Sequence, residues 1–159
     1  MASISLRTYE NRDKEACINV FKSNTPEYFA PFEIADFESW LDKQVPGSAN
    51  LSTGRYYVVE LDNKLVGCGG FYIDHNKKEA GMVWGMIDRS IHRTGIGRKL
   101  ILYRIEAIKK ARAACAITLN TSQYSYPFFE KTGFRVTKIT KDFYAKGLDR
   151  YDMVFNESL

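Results

Sequence analysis

The stretch EAGMVWGMIDRSIHRTGIGRKLILYRIEAIKKAR, residues 79–112, changes character abruptly along its length. From Met82 to Ile87 both alternating sets, Met82, Trp84 and Met86 on one side and Val83, Gly85 and Ile87 on the other, are non-polar, as in a strand buried on both faces. After Asp88 comes a short polar, basic segment containing Gly95 and Gly97. Ile101, Ile105 and Ile108 then recur at helical spacing with Leu102 beside them. The order is strand, glycine loop, helix.

That order suits a phosphate. The first turn of a helix leaves backbone N–H groups without intrahelical partners, the helix dipole makes that end positive, and glycines let an anion approach without a Cβ in the way. Between Arg89 and Arg112 there are eight Lys/Arg and one acid, Glu106, so this segment carries about +7 and the rest of the chain about −3. A plainer reading is that Arg98, Lys99, Arg104, Lys109 and Lys110 form the solvated face of an amphipathic helix. The loop is neither Walker A, since no Gly-Lys-Ser/Thr follows, nor the dinucleotide fingerprint, which needs a third glycine.

Working outward, Ile4 to Tyr9 alternates as a strand, and Asn11 or Asp13 is placed to cap a helix with Ala16, Ile18, Val20 and Phe21 as its apolar face. Pro26 and Pro31 break the chain around Tyr28 and Phe29, whose rings either wall a pocket or pack helix on helix. A second helix carries Ile34, Phe37, Trp40 and Leu41, and residues 46–54 read as a connector. Tyr56 to Leu61 and Lys64 to Ile73 form a predicted hairpin through Asp62-Asn63. Gly67, Gly69 and Gly70 imply a bulge or the close approach of backbone or ligand. Beyond the long helix, Ala116 to Asn120 reads as a strand parallel to Met82–Ile87. Pro127 and Gly133 bracket a short helix, and Arg135 to Tyr144 and Tyr151 to Phe155 form a terminal antiparallel pair.

With 159 residues, 45% of them hydrophobic, the chain has the length of one domain with a real core, and we expect a single domain over 1–159. No apolar run approaches the ~20 residues of a membrane span, and the start MASISLRTYE lacks a signal-peptide core, so the expectation is a cytoplasmic protein with no membrane partner. Cys17, Cys68 and Cys115, odd in number and in apolar contexts, suit reduced thiols better than disulfides, a nucleophile or a metal site. The net charge of +4 is modest for a nucleic-acid binder, so no nucleic-acid partner is expected.

His92-Arg93-Thr94-Gly95-Ile96-Gly97 resembles the Gln/Arg-x-x-Gly-x-Gly/Ala pyrophosphate loop of the GNAT superfamily of acetyl-CoA-dependent N-acetyltransferases. Ser125-Tyr126-Pro127-Phe128-Phe129-Glu130-Lys131-Thr132-Gly133-Phe134 resembles that family's Ala-x-x-Phe-Tyr-Glu-Lys-x-Gly-Phe segment. The stretches NTPEYF (24–29), VWGM (83–86), LNTSQ (119–123) and GLDRYDM (147–153) look like a bacterial-type subgroup. The resemblance implies an α+β fold with a mostly antiparallel seven-stranded sheet, one parallel crossover pair and about four flanking helices.

It also implies direct transfer of an acetyl group from acetyl-CoA, with no metal, to a primary amine on a small molecule or peptide. Homodimers are frequent in the family, which makes a second copy a further expected partner. The pyrophosphate would lie on His92, Arg93, Thr94, Gly95, Ile96, Gly97 and Arg98, and the pantetheine arm along Gly85, Met86 and Ile87. Ser122 stands where many members have an asparagine, and Asn120 is its alternative. Phe129 occupies the place of the family's usual tyrosine acid, so Tyr124 or Tyr126 is expected to supply the proton. His92 stands where Gln or Arg is usual. For the base, Glu79 leads, with Asp74 and His75 behind it. The missing tyrosine leaves an alternative open, a non-catalytic acyl-CoA-binding sensor or interaction module.

Overall fold

A computed structural model describes residues 3–44, 54–111 and 115–155. In chain order the elements are β1 (Ile4–Thr8), α1 (Lys14–Ser23), α2 (Glu33–Asp42), β2 (Gly54–Leu61), β3 (Lys64–Asp74), β4 (Glu79–Ile87), α3 (Ile96–Ala111), β5 (Ala116–Thr121), α4 (Tyr126–Lys131), β6 (Phe134–Ala145) and β7 (Leu148–Phe155). The connector expected over 46–54 lies, Gly54 apart, outside the described residues.

The strands form one seven-stranded sheet ordered β1-β2-β3-β4-β5-β7-β6. Each neighbouring pair is antiparallel except β4 and β5, which run parallel on either side of the α3 crossover. This is the α+β architecture expected from the sequence. Asp62 and Asn63 adopt φ of 50° and 67°, the left-handed pair that a two-residue hairpin turn needs, and so close β2 onto β3 where the sequence predicts.

Alternation along β2 divides the core. Tyr56 and Val58 face α1 and α2, packing with Phe21, Phe37 and Leu41. Tyr57 faces the opposite side with Ile101, Ile105 and Ile108 of α3 and Phe134 and Met153 from the far end of the sheet. Two details of the helices differ from the periodicity reading. In α1 Ile18, Val20 and Phe21 are buried as expected, but Cys17, one turn before Phe21, is buried and Ala16 only partly so. In α3 Leu102 is 41% exposed and Leu100 takes its place inside. More consequential is Arg104, which the solvated-face reading sets outside and the fold buries to 4% exposure. Asp13 precedes α1 but makes no side-chain cap; its carboxylate is taken by the Arg7 guanidinium at 2.8 and 2.9 Å. Among the described residues no helix is long and apolar enough to cross a membrane.

Candidate active site

β4 and β5 pair only from Glu79 opposite Ala116 to Gly81 opposite Thr118. Beyond that the two strands part, and the wedge between them opens into a cleft of about 1350 Å³. The glycine loop and the first turn of α3 bring Arg93 and Arg98 to its lining, α4 brings Lys131, and α2 with the segment before it brings Glu33 and Asp36 together with Tyr28, Phe29 and Phe32. The floor follows β4 from Met82 to Ile87. Because β5 has left, the edge of β4 on that side has no strand among the described residues to pair with, which suits an extended ligand carrying amides.

A bulge shapes this edge. Cys68 pairs with Met86 and Gly70 with Val83, so Gly69 alone opposes Trp84 and Gly85, an extra residue on β4. Trp84 takes a φ of 44°, and the Tyr56 hydroxyl donates to its carbonyl at 2.8 Å, fixing the distortion. At the end of β4 the Ile87 carbonyl accepts from Asn24 Nδ2 and from His92 Nε2, each at 2.9 Å. A carbonyl only accepts, so His92 carries its proton on Nε2 in this bond. Asn24 also donates to Val20 O at 2.9 Å and is buried. The end of α1, the end of β4 and the glycine loop therefore meet at one oxygen. Asp88 next to it accepts from Ser90 N and Oγ at 2.9 and 2.6 Å. These bonds hold its carboxyl below the ordinary range and keep the turn tight.

The residues expected at the site divide. Met86, Ile87, His92, Arg93, Gly95, Gly97, Arg98, Asn120, Ser122, Tyr124 and Phe129 all line the cleft. Gly95 has a φ of 87°, and a Cβ there would meet nothing within 4 Å; Gly97 lies in the first turn of α3, with Phe128 Cζ 3.4 Å from where a Cβ would stand. The loop is thus open where an anion would approach, and its residues fit a pyrophosphate. Thr94 and Ile96 are not among the lining residues. The Thr94 hydroxyl donates back to Ile91 O at 2.7 Å, and Ile96 is buried beside Val59, Val66 and Leu100. Ser122 is buried, its Oγ accepting from Tyr124 N at 3.3 Å and its carbonyl from the N–H groups of Ser125 and Tyr126, so it shapes the turn into α4.

Four expected candidates, Tyr126, Glu79, Asp74 and His75, are not among the residues lining the cleft. Tyr126 stacks flat on Tyr151 with ring centroids 4.4 Å apart and packs against the α3-side core. Glu79, opposite Asp74 and Ala116, sits at the closed end where β4 and β5 are still paired. Asp74 accepts from the N–H groups of Asn76 and Lys77 in the adjoining turn. Among the described residues no group of three or more side chains is arranged to hold a metal ion.

A family model described as "Acetyltransferase (GNAT) domain" matches residues 24–156, most of the chain. The chain belongs to the GNAT acetyltransferase family. No curated protein matches this GNAT chain significantly. Its fold resembles that of a structure described as a GNAT-family acetyltransferase from Desulfovibrio desulfuricans, with a TM-score of 0.79 at 16% identity over 98% of this chain and 100% of that one. The ribosomal-protein-S18-alanine N-acetyltransferase of Escherichia coli gives 0.73 at 20% identity over 100% and 99%. The spermidine N-acetyltransferase of Vibrio cholerae, solved with CoA and spermine, gives 0.73 at 18% over 95% and 94%.

The GNAT cleft also holds three residues that sequence reading missed. Glu33 is half-buried, accepts from Ala30 N at 2.8 Å, and is held above the ordinary carboxylate range by burial, with Asp36 adding to it. Tyr144 reaches from β6 to donate to Asn120 Oδ1 at 2.6 Å. Burial raises its phenol, and the Glu33 charge is near enough to push the same way. Arg104 extends from α3 to the underside of the bulge. Glu33 reads in sequence as an ordinary first-turn acid, and the Tyr144–Asn120 contact leaves no local signal. Arg104 does leave one. It falls on the stripe Leu100, Ile101, Ile105 and Ile108, at i+3 and i+4 from buried residues.

Proposed function

We propose that this GNAT protein transfers an acyl group from acyl-CoA to a primary amine by direct attack in a ternary complex. The observation that carries the reading is the cleft in the parted β4/β5 pair, lined by a glycine-opened helix start with basic side chains and by carboxylates with aromatic rings. The pyrophosphate lies on the N–H groups from Arg93 to Arg98, with Arg93 and Arg98 meeting its charge. The pantetheine amides pair with the free edge of β4, and Asn120, whose Oδ1 is taken by Tyr144, keeps its Nδ2 to donate.

An alkylammonium with a pKa of roughly 10 must lose a proton before it attacks. Glu33, raised by burial and facing the cleft, takes that proton, directly or through water, in preference to Glu79 at the closed end. The amine nitrogen then bonds to the thioester carbon, the charge developing on the carbonyl oxygen meets the backbone N–H near Met86, and the C–S bond breaks. The leaving thiolate takes a proton from Tyr124 or solvent, Phe129 having none to give, and the second proton that the nitrogen sheds as the amide forms replaces it there. The acid and aromatic wall favours acceptors bearing a cationic amine. Spermine, held in the complex of the Vibrio cholerae spermidine N-acetyltransferase, is a compound of that kind.

The test is a thermal-shift titration with acetyl-CoA, with ATP and NAD as phosphate-bearing controls. A ligand at 100 times its Kd stabilises by about 2.7 kcal/mol, a rise of several degrees in Tm for a chain of this size. The expected result is a shift with acetyl-CoA that the controls do not reproduce, followed by amine-dependent thiol release. Phe129 favours one second reading, a sensor: acetyl-CoA then binds and no amine releases thiol. No shift at millimolar acetyl-CoA removes both.

A further inference from the structure

Arg104 is a buried cation without a counter-charge. Only 4% of it is exposed, and no carboxylate among the described residues pairs with it. Nη1 donates to Gly70 O at 3.3 Å, a long bond, and the buried Nε has no hydrogen-bond partner among the described residues. Its place is made by glycines. A Cβ on Gly85 would stand 2.7 Å from Nη2 and 2.9 Å from Nη1, and one on Gly69 would stand 3.1 Å from Cζ. The guanidinium therefore lies against the backbone of the β4 bulge, on the α3 face, and lines the cleft together with Leu100, Met82 and Leu119. Burial lowers it to about 10, which still leaves it charged at neutral pH.

A full charge removed from water and left unmatched is costly, and proteins match such charges with an anion or remove them. The chain supplies no anion here among the described residues, whereas the cleft opens onto the group. Resting on the reading above, in which the thioester sits along β4 at Gly85 and Met86, the guanidinium lies beneath the acyl end of the donor. An acetyl methyl offers it nothing. The transient oxyanion is served by the β4 edge and does not exist in the ground state that must be stabilised. A short acyl chain ending in a carboxylate would give the planar fork of donors a lasting bidentate partner.

We propose that Arg104 is a donor-specificity residue and that the preferred donor is a CoA thioester of a short dicarboxylic acid, a malonyl or succinyl group. The chemistry is unchanged: the amine nitrogen bonds to the thioester carbon, the C–S bond breaks, the amine proton goes to the base, and the distal carboxylate passes intact into the amide product.

Binding by the full chain is compared by calorimetry for CoA, acetyl-CoA, butyryl-CoA, malonyl-CoA and succinyl-CoA. Butyryl and succinyl have the same backbone length and differ at the terminal group. The expected result is succinyl- or malonyl-CoA binding at least tenfold tighter than butyryl-CoA, with the ratio falling to about one in Arg104→Met, whatever change the ligands share. Succinyl- and malonyl-CoA both binding no tighter than butyryl-CoA to the unmodified protein overturns the proposal without recourse to a variant, as does a preference that survives Arg104→Met. The unmodified protein decides the matter if Arg104→Met does not fold. Failure of CoA itself to bind would instead overturn the acyltransferase reading and this inference with it, a distinct outcome because every thioester is then silent.

Discussion

At the scale of single residues, Glu33 is where chemistry and environment coincide. Its carboxyl is held above the ordinary value by burial and by Asp36, which favours accepting a proton near neutrality over remaining a weak, solvated acid. Glu33→Gln keeps an oxygen for the Ala30 N–H and removes only the basicity. The expected outcome is a loss of about 100-fold or more in kcat/KM, with Tm little changed. The sign in pH follows from the direction of the shift: the base works ionised, so kcat/KM falls as pH drops through a pKa above the usual carboxylate value of ~4.3. That limb should vanish in the variant. Thiol release followed from pH 5 to 9 reads both, and activity within threefold of the parent would exclude Glu33 as the base.

At the scale of elements, the start of α3 separates binding from folding. Gly97 has room for a side chain, since a Cβ would meet Phe128 Cζ at 3.4 Å and Ile87 Cγ1 at 3.6 Å, yet any branched group there covers the N–H donors of the first turn. Gly97→Val should therefore cost stability by less than ~1.5 kcal/mol and weaken CoA binding by at least tenfold; urea unfolding and calorimetry measure the two independently. Intact binding would move the phosphate off this helix. Much of this element was legible in sequence, because hydrophobic period and glycine position are local properties: the change from a two-faced apolar run to the Ile101, Ile105, Ile108 stripe marks strand, loop and helix. The Asp62-Asn63 turn was legible for the same reason. The bulge was legible from one strand alone: Gly67, Gly69 and Gly70 mark it on β3, opposite the place where it falls, whereas the extra residue at Trp84 leaves no trace in a run that is apolar on both faces. Arg104 was misread because charge was weighed before position, although its place on the Leu100–Ile108 stripe marks it as inward. Glu33 and Tyr144 escaped because what makes them notable, their shared cleft, is built from segments about a hundred residues apart.

At the scale of the whole molecule, the uneven charge of the chain becomes the polarity of its cleft. The +7 segment contributes Arg93 and Arg98 to the lining, and the α1–α2 region contributes Glu33 and Asp36, so on the function proposed above an anionic donor and a cationic acceptor are drawn to different parts of one opening. The same acidic region also supplies a global fastening. Arg7 on β1 binds Asp13 with Nη1 and Nη2 at 2.8 and 2.9 Å and Glu60 on β2 with Nε at 2.5 Å, joining the edge strand to the start of α1 and to its neighbour in the sheet. Burial alone would raise the Asp13 carboxyl. The Arg7 bonds and the Glu10 N–H at 2.8 Å outweigh it, and the net direction is downward. A group whose folded pKa is depressed contributes stability above its unfolded pKa, ~3.9 for Asp, and loses it as pH falls through the folded value. Asp13→Asn should accordingly lower stability by about 1–3 kcal/mol at pH 7. The gap from the parent should hold down to pH ~4 and close below it, where the parent becomes protonated and resembles the variant. Urea unfolding at pH 7, 5, 4 and 3 follows that gap; a difference that stayed constant to pH 3 would mean that shape, and not the charge of Asp13, holds β1 to α1.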